Sequence, residues 1–547
     1  MKKRIPIGVD DFKKVRDGDY CFVDKSELIS DILREGAEVY LFTRPRRFGK
    51  SLNLSMLDAF FNLKYPKDNK WFDGLKVSDC KECQEHRNAY PVIHFDFKDL
   101  SVSSREMFFD KLSDSMSKFY DSNRYLLDME DISDREREMF NLTICGKLNL
   151  AQLTGALKDL SDLMSRYHGK KVIVLIDEYD NPINNSFGKS HQNEIIQTIR
   201  EILSPLLKGN TNLEFAVITG VMQIAKESIF SGLNNITVNN IFSKKFDERY
   251  GFTEDEVKTL CKEYDHPEKF EEAKEWYDGY RCGDAEIYNP WSVLKYISED
   301  FSPAPYWSMT SGNDIINTLL DSAKDYIYSE LHTLGNGESI IASVDPAVTM
   351  GDICADENAI YSIMAVTGYF DAIQDDYNIA SLSIPNKELY IVFSDMMMDH
   401  ICDGANDAFG DLFDGMERMD VELMQDALDM IFNKNIPFIL LSKEKDYQLI
   451  LGAAAMSRLG RYTVSLEEES GNGRADIIMR PNRSGLPNII LEMKRSDSVN
   501  DLESDSSKAI SQIEEKGYFR NMKGRILLYG ISFNGKSSRI SMKEMTG

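Results

Sequence analysis

Gly49, Lys50 and Ser51 stand in the order used at the exit of a phosphate-binding loop. There, backbone amides and a helix N-terminus cradle phosphate oxygens, the lysine reaches the β and γ oxygens, and the hydroxyl coordinates Mg2+. The full pattern, GxxxxGK[ST], begins with a glycine, and Arg44 holds that position here. Pro45 fixes its own φ and pushes Arg44 into an extended conformation, so the mouth of the loop departs from the standard turn. The amides of Phe48 to Ser51 can still open the helix. A second run, VIVLIDEYD, ends in Asp177, which would hold Mg2+, and Glu178, which would polarise the attacking water. If this is an ATP site, Lys50 should point into an open cavity beside Asp177. Thr219 closes a third apolar run, LEFAVIT, where a polar residue senses the γ-phosphate in the additional-strand class of P-loop enzymes. A satisfied strand-end hydroxyl is the other reading. Arg46 and Arg47 would either stabilise transition-state charge or anchor the loop. The cofactors implied are ATP and Mg2+.

A separate set lies near the C-terminus. Glu492 and Lys494 alternate along the run NIILEMKRS, so they share one face of a strand while Leu491 and Met493 take the other. Asp476, in RADIIMR, sits on the preceding strand, and one turn could bring it beside Glu492. Two carboxylates and a backbone carbonyl suit Mg2+, a hard cation that keeps waters for a phosphate substrate. The metal would lower the pKa of a bound water and stabilise phosphorane-like charge, and Lys494 would orient or activate that water. A hairpin carrying surface charges is the bland alternative. What weighs against it is an ionic pair inside an apolar strand at the right place in a six-element order.

That order, and the elements that must position both sets, follow from periodicity. Apolar runs at 38–43, 91–97, 171–177, 213–219 and, less clearly, 236–242 alternate with helical patterns over residues 1–245, which points to a parallel α/β sheet. Residues 246–400 read as mainly helical and rich in aromatics. The run from Trp276 to Trp291 would stack bases or fill a core, with core the first choice, and Thr367, Gly368 and Tyr369 read as packing and turn chemistry. Over 401–547 an acidic helical stretch leads into helix (443–460), three strands, helix and strand. The fold class is therefore α/β: a P-loop NTPase-type parallel sheet, a helical middle that would act as lid and bridge, and a C-terminal αβββαβ domain.

The motifs IPIGVDDFKKVRDGDYCFVDKSELI, RPRRFGKSL, VIVLIDEYDNPI, SIFSGLNN, YNPWSVL and TGYF together resemble the bacterial AAA-ATPase-like proteins that carry a C-terminal nuclease domain of the PD-(D/E)XK type, which is restriction-endonuclease-like. The resemblance spans nearly the whole chain, and the Arg-Pro start of the phosphate loop is usual in that family. It implies that Gln512 supports Lys494 or touches substrate, that Glu444 supplies a further carboxylate, and that Glu467 is a rival for that extra acid.

Bulk properties bound the reading. The 547 residues exceed one core and suggest two to four domains of roughly 100 to 200 residues. A net charge of −26 argues against non-specific coating of DNA, so any nucleic-acid contact must be local. Arg461, Arg474, Arg480, Arg483 and Arg495 are basic residues nearby that would form such a local patch, although the loop SDSVNDLESDSSK is acidic. No apolar stretch reaches the length of a membrane span, and the eight cysteines read as reduced thiols, which places the protein in the cytoplasm. Cys80, Cys83 and His86 are weak zinc candidates that lack a fourth ligand. The expected function is ATP binding, with hydrolysis, coupled to a Mg2+-dependent nuclease acting on DNA in preference to RNA. Rival readings are a nucleotide-regulated nucleic-acid-binding or sensor protein with an inactive nuclease fold, and an ATPase with a purely structural C-terminal domain. Nothing in the sequence excludes a homo-oligomer.

Overall fold

The computed structural model describes residues 2–100, 103–223, 235–307, 314–321, 325–335, 337–347, 358–401, 406–434, 444–456, 461–470, 473–483, 485–520 and 522–546. All but the last residue of the SIFSGLNN motif therefore lies outside the described residues. The chain divides into two compact units, Met1–Leu319 with Ile341–Asn386, and Leu320–Ile340 with Lys387–Gly547.

In the first unit all five apolar runs are strands: β1 (Val39–Thr43), β2 (Val92–Asp96), β3 (Val172–Asp177), β4 (Leu213–Gly220) and β5 (Ile236–Asn239). They form one parallel sheet in the order β2-β3-β4-β1-β5. Helices cover both faces. Leu41, Ile93, Val174 and Ile176 pack toward α2 (Arg105–Asp121), α3 (Leu150–His168) and α4 (Gln192–Leu207), whereas Phe42, Ile173, Leu175 and Val217 pack toward α1 (Lys50–Phe61). Burial on both sides explains why the strands read as continuous apolar runs rather than as alternating ones. The register puts Thr43 beside Gly220 and Ile176 beside Ile218, so the loop after β1, Asp177 and Thr219 leave the sheet at one end.

Beyond β5 the chain is helix-rich, including α5 (Pro290–Ser298) and α6 (Ala359–Thr367). It also holds a hairpin of β6 (Tyr280–Cys282) and β7 (Ala285–Ile287), and a three-stranded sheet of β8 (Ile340–Ser343), β9 (Asp371–Asp376) and β10 (Ile379–Ser383). Tyr277, Tyr280 and Tyr288 are buried, so these aromatics fill a core and are not available to stack bases. Gly368 ends α6 with φ 93°, and Tyr369 packs against Trp307 with ring centroids 4.9 Å apart.

In the second unit α7 (Asn406–Arg418), α8 (Val421–Lys434) and α9 (Glu444–Met456) precede a mixed sheet. The sheet runs β11 (Tyr462–Ser470), β12 (Gly473–Pro481), β13 (Asn488–Arg495), β14 (Arg525–Asn534), β15 (Ser537–Thr546), with α10 (Leu502–Lys516) between β13 and β14. Only β13 and β14 pair in parallel. The αβββαβ order stands, with β15 as an addition that the periodicity reading missed. It returns from β14 through a two-residue turn in which Gly535 takes φ 57°.

The cysteines need a correction: Cys80 and Cys83 form a disulfide instead of remaining reduced, and His86 Nδ1 lies 2.7 Å from the Tyr90 hydroxyl. With both sulfurs bonded to each other, the zinc reading loses its ligands. Among the described residues no helix is long and apolar enough to cross a membrane.

Candidate functional site

The phosphate loop is held by the residue that replaces its first glycine. Arg44 is fully buried, and its backbone amide donates to Gly220 O at 3.2 Å. Its guanidinium donates to Thr43 O at 2.9 Å and Asn239 O at 2.8 Å, and lies over the Tyr250 ring. A side-chain strut to the end of β5 thus shapes a turn that glycine would otherwise permit. Phe48 is buried edge-on against Tyr280, and exposed Arg47 lies 4.5 Å from the centre of the Trp291 ring, so both side chains brace the loop against the helix-rich segment. Arg46 is half-buried beside Lys50, whose charge it opposes.

Gly49 caps α1 with φ 80°, and no side chain caps the helix, so its first amides stay available to an anion. Lys50 departs from expectation. It is buried at 7% exposure, and its Nζ donates to Arg44 O at 2.9 Å and Pro45 O at 2.8 Å, spanning the loop's own mouth instead of opening into a cavity. Burial pulls its ammonium down to about 8, against the attraction of Asp180, Glu178 and Asp177. A bound phosphate would have to replace those two carbonyls, and it would raise the lysine back toward its ordinary value.

Asp177 Oδ1 accepts from the Thr219 hydroxyl and, at 3.0 Å, from Glu178 N. Thr219 is fully buried and so orients this carboxylate from the neighbouring strand. Glu178 sits at φ 49°, half-buried, with its carboxyl raised by burial and by Asp177. Ser51 and Asp177 line a common cavity of about 550 Å³. Sequence reasoning passed over Asp180. It is buried, accepts from Val221 N and Met222 N at 2.9 and 2.8 Å, and ties the turn after β3 to the end of β4. Its spacing of three from Asp177 in DEYD was the available signal.

In the second unit Ile477 pairs with Leu491 in antiparallel register, which brings Asp476 and Glu492, the next residue on each strand, close together. Asp476 Oδ2 accepts from Met493 N at 2.6 Å and Oδ1 from Gln448 Nε2 at 2.8 Å. Gln512 Nε2 donates to Glu492 Oε1, and Lys494 Nζ is 3.8 Å from the same oxygen. Glu492 Oε2 is buried and has no hydrogen-bond partner among the described residues. Both carboxyls are raised, first by burial; at Glu492 the Asp476 charge adds to this, and at Asp476 the Glu444 charge does. Glu444 Oε2 accepts from Arg495 N at 3.1 Å, which places this acid at the rim of the pair. The Glu467 side chain lies outside the described residues. Among the described residues no three His, Cys, Asp or Glu converge on one point, so the protein ligands of a metal here would be the acid pair and a backbone carbonyl. An unpartnered, buried carboxylate oxygen beside a second acid fits that requirement. Gln448 was missed, although it stands one helical turn from Glu444. Arg461 is spent on Glu417 at 2.6 Å and does not join a free basic patch.

Two sequence profiles match these two sites: AAA-ATPase-like, described as a predicted AAA-ATPase, over residues 6–230, and the PD-(D/E)XK nuclease superfamily over residues 442–543. The chain carries an AAA-ATPase-like domain and a PD-(D/E)XK nuclease superfamily domain. The first match ends just before β5, and the second spans α9 to β15 with the acid pair inside it. A protein of Azotobacter chroococcum mcd 1, named "Uncharacterized protein in vnfD 5'region", is 25% identical over 557 residues, covering 98% of each chain. The AAA-ATPase-like domain therefore holds Lys50, Ser51, Asp177, Glu178 and Thr219, and the nuclease domain holds Asp476, Glu492, Lys494 and Gln512.

Proposed function

We propose that the chain binds and hydrolyses ATP at the AAA-ATPase-like domain, and that this controls cleavage of nucleic-acid phosphodiester bonds, DNA before RNA, by the nuclease domain in the cytoplasm. The observation that carries the nuclease reading is the buried, unpartnered Oε2 of Glu492 close to Asp476, whose charge acts on it. Bound Mg2+ would supply a water of lowered pKa and neutralise charge building on the phosphorus. Asp476 and Glu492 would hold it, with Met493 N and Gln448 fixing the first carboxylate and Gln512 the second. Lys494 would orient the attacking water and take part in its deprotonation.

At the other site the uncapped amides of α1 and Lys50 would grip the triphosphate, Ser51 and Asp177 would hold its Mg2+, and Glu178 would position the hydrolytic water. Thr219 would report the γ-phosphate to Asp177 through their shared hydrogen bond. What supports this is the uncapped start of α1 and the Ser51–Asp177 cavity; Lys50 weighs against it as placed, since its Nζ must leave Arg44 O and Pro45 O to reach a phosphate.

The test is cleavage of plasmid, single-stranded DNA and RNA in Mg2+, with and without ATP, by the full chain and by its Asp476→Asn and Lys494→Ala variants. Loss of cleavage in both variants is expected, and cleavage that survives both sinks the assignment. A second reading, a nucleic-acid-binding or sensor role without cutting, is favoured by the acidic run after Arg495 and by the pairing of Arg461 with Glu417, which leave few cations near the acid pair. Binding of DNA without any cleavage would select it.

A further inference from the structure

Among the described residues β2 pairs only with β3, and its outer edge is free from Val92 onward, since Tyr90 just before it is bridged to Asn62. Ile173 N donates to Pro91 O, and Phe97 N donates to Asp177 O. In a parallel ladder those bonds commit Ile93 and Phe95 to β3 and turn the backbone N–H and C=O of Val92, His94 and Asp96 outward. Among the described residues nothing hydrogen-bonds to these outward groups. The cavity of about 550 Å³ that Ser51 and Asp177 share runs along this edge. One wall comes from α1 and the residue that caps it (Ser55, Asp58, Asn62) and the other from the ends of α2 and α3 (Phe119, Met164, His168), on the two faces of the sheet. Five aspartates line it; Asp10 pairs with Lys98 at 3.7 Å, Asp11 with Lys13 at 3.5 Å and Asp58 with Lys64 at 3.5 Å, which leaves Asp96 and Asp177 to carry its uncompensated charge. Asp96 stands in register with Asp177, and neither forms an ion pair among the described residues.

We propose that this groove receives an extended, Lys/Arg-bearing peptide segment of a partner protein, which adds to the sheet as a strand beside β2. Backbone hydrogen bonds to Val92, His94 and Asp96 provide the attachment, and a basic side chain meets the Asp96 carboxylate. Five β2 residues span about 16 Å at the usual rise, enough for a peptide of about five to six residues. Such a segment ends beside Asp177, so its occupancy and that of the nucleotide site affect one another. The groove's acidity disfavours nucleic acid there. Strand addition does not depend on ATP hydrolysis and stands whether or not the chain is an ATPase.

The full chain is titrated with a fluorescent alternating lysine–valine hexapeptide, and backbone amide exchange is followed across residues 90–97. Saturable binding and slowed exchange over that segment are expected. The same peptide with its alternate, edge-facing amides N-methylated should bind at least tenfold more weakly, as should the glutamate–valine analogue. Asp96→Asn should weaken the lysine peptide several-fold. Unchanged exchange at 90–97, equal binding of the N-methylated peptide, or full competition by spermidine at the peptide's own affinity overturns the proposal, the last because it would mark a simple polycation site.

Discussion

At the residue scale the acid pair is held under electrostatic stress by burial and by its neighbouring acids. Glu492 and Asp476 are both raised from ordinary carboxyl values of about 4, so the native state holds their protons at pH values where the unfolded chain has released them. Their contribution to metal-free stability is thus greatest at low pH, and it is lost as pH rises from about 4 through the higher folded values. Melting in EDTA should show Glu492→Gln gaining stability relative to the parent at pH 8 and not at pH 4, and Mg2+ should stabilise the parent at pH 8 more than the variant. Equal shifts at both pH values would contradict this. For catalysis, Lys494→Ala should lower the cleavage rate roughly 10²- to 10⁴-fold, the range of a positioned proton-transfer group. Gln512→Ala removes a hydrogen bond to Glu492 and should cost less, with partial rescue at raised Mg2+.

At the element scale the phosphate loop is a strut-and-cap structure whose parts come from distant segments. Arg44→Gly restores the standard pattern in sequence yet removes charged hydrogen bonds to Thr43 and Asn239. It should destabilise the fold by about 2 to 3 kcal/mol and weaken ATP binding, read from the denaturant midpoint and a nucleotide titration. Improved ATP binding would show that the strut is dispensable. Gly368 combines φ 93° with a close approach to Pro45, whose Cβ would lie 2.8 Å from an added methyl. Gly368→Ala should therefore cost about 1 to 3 kcal/mol and disturb the loop from 323 residues away in sequence, which thermal melting and ATP affinity would both register. These dependencies explain why the helix-rich segment after β5 is built around aromatics: Tyr280 and Trp291 press on Phe48 and Arg47.

At the scale of the whole molecule two anionic chemistries sit in separate compact units of one acidic chain. If ATP governs the nuclease, Lys50→Ala should abolish the effect of ATP on cleavage while leaving Mg2+-dependent cleavage measurable. A parent enzyme whose cleavage ignores ATP would separate the two activities. Much of this plan was legible because buried parallel strands are apolar on both faces, and because Glu492 and Lys494 need only the two-residue period of a strand to share a face. β15 escaped because its outward residues are polar and charged, so SSRISMKEMT carries little apolar signal. The strut formed by Arg44 was not legible because two of its acceptors, Asn239 O and Phe246 O, are about 200 residues away. Cys80 and Cys83 read as thiols because compartment statistics say nothing of two sulfurs brought together across one helical turn.

Residue type and period alone determined the parallel sheet and the αβββαβ core, the helix that opens after Gly49, and which side chains could carry metal and phosphate chemistry, since these follow from local geometry. Tertiary structure alone decided that Asp476 faces Glu492, that Thr219 grips Asp177, that Lys50 folds back on its own loop, and that the edge of β2 is left open. Each of those depends on strand register and on contacts between segments far apart in the chain, which no local pattern encodes.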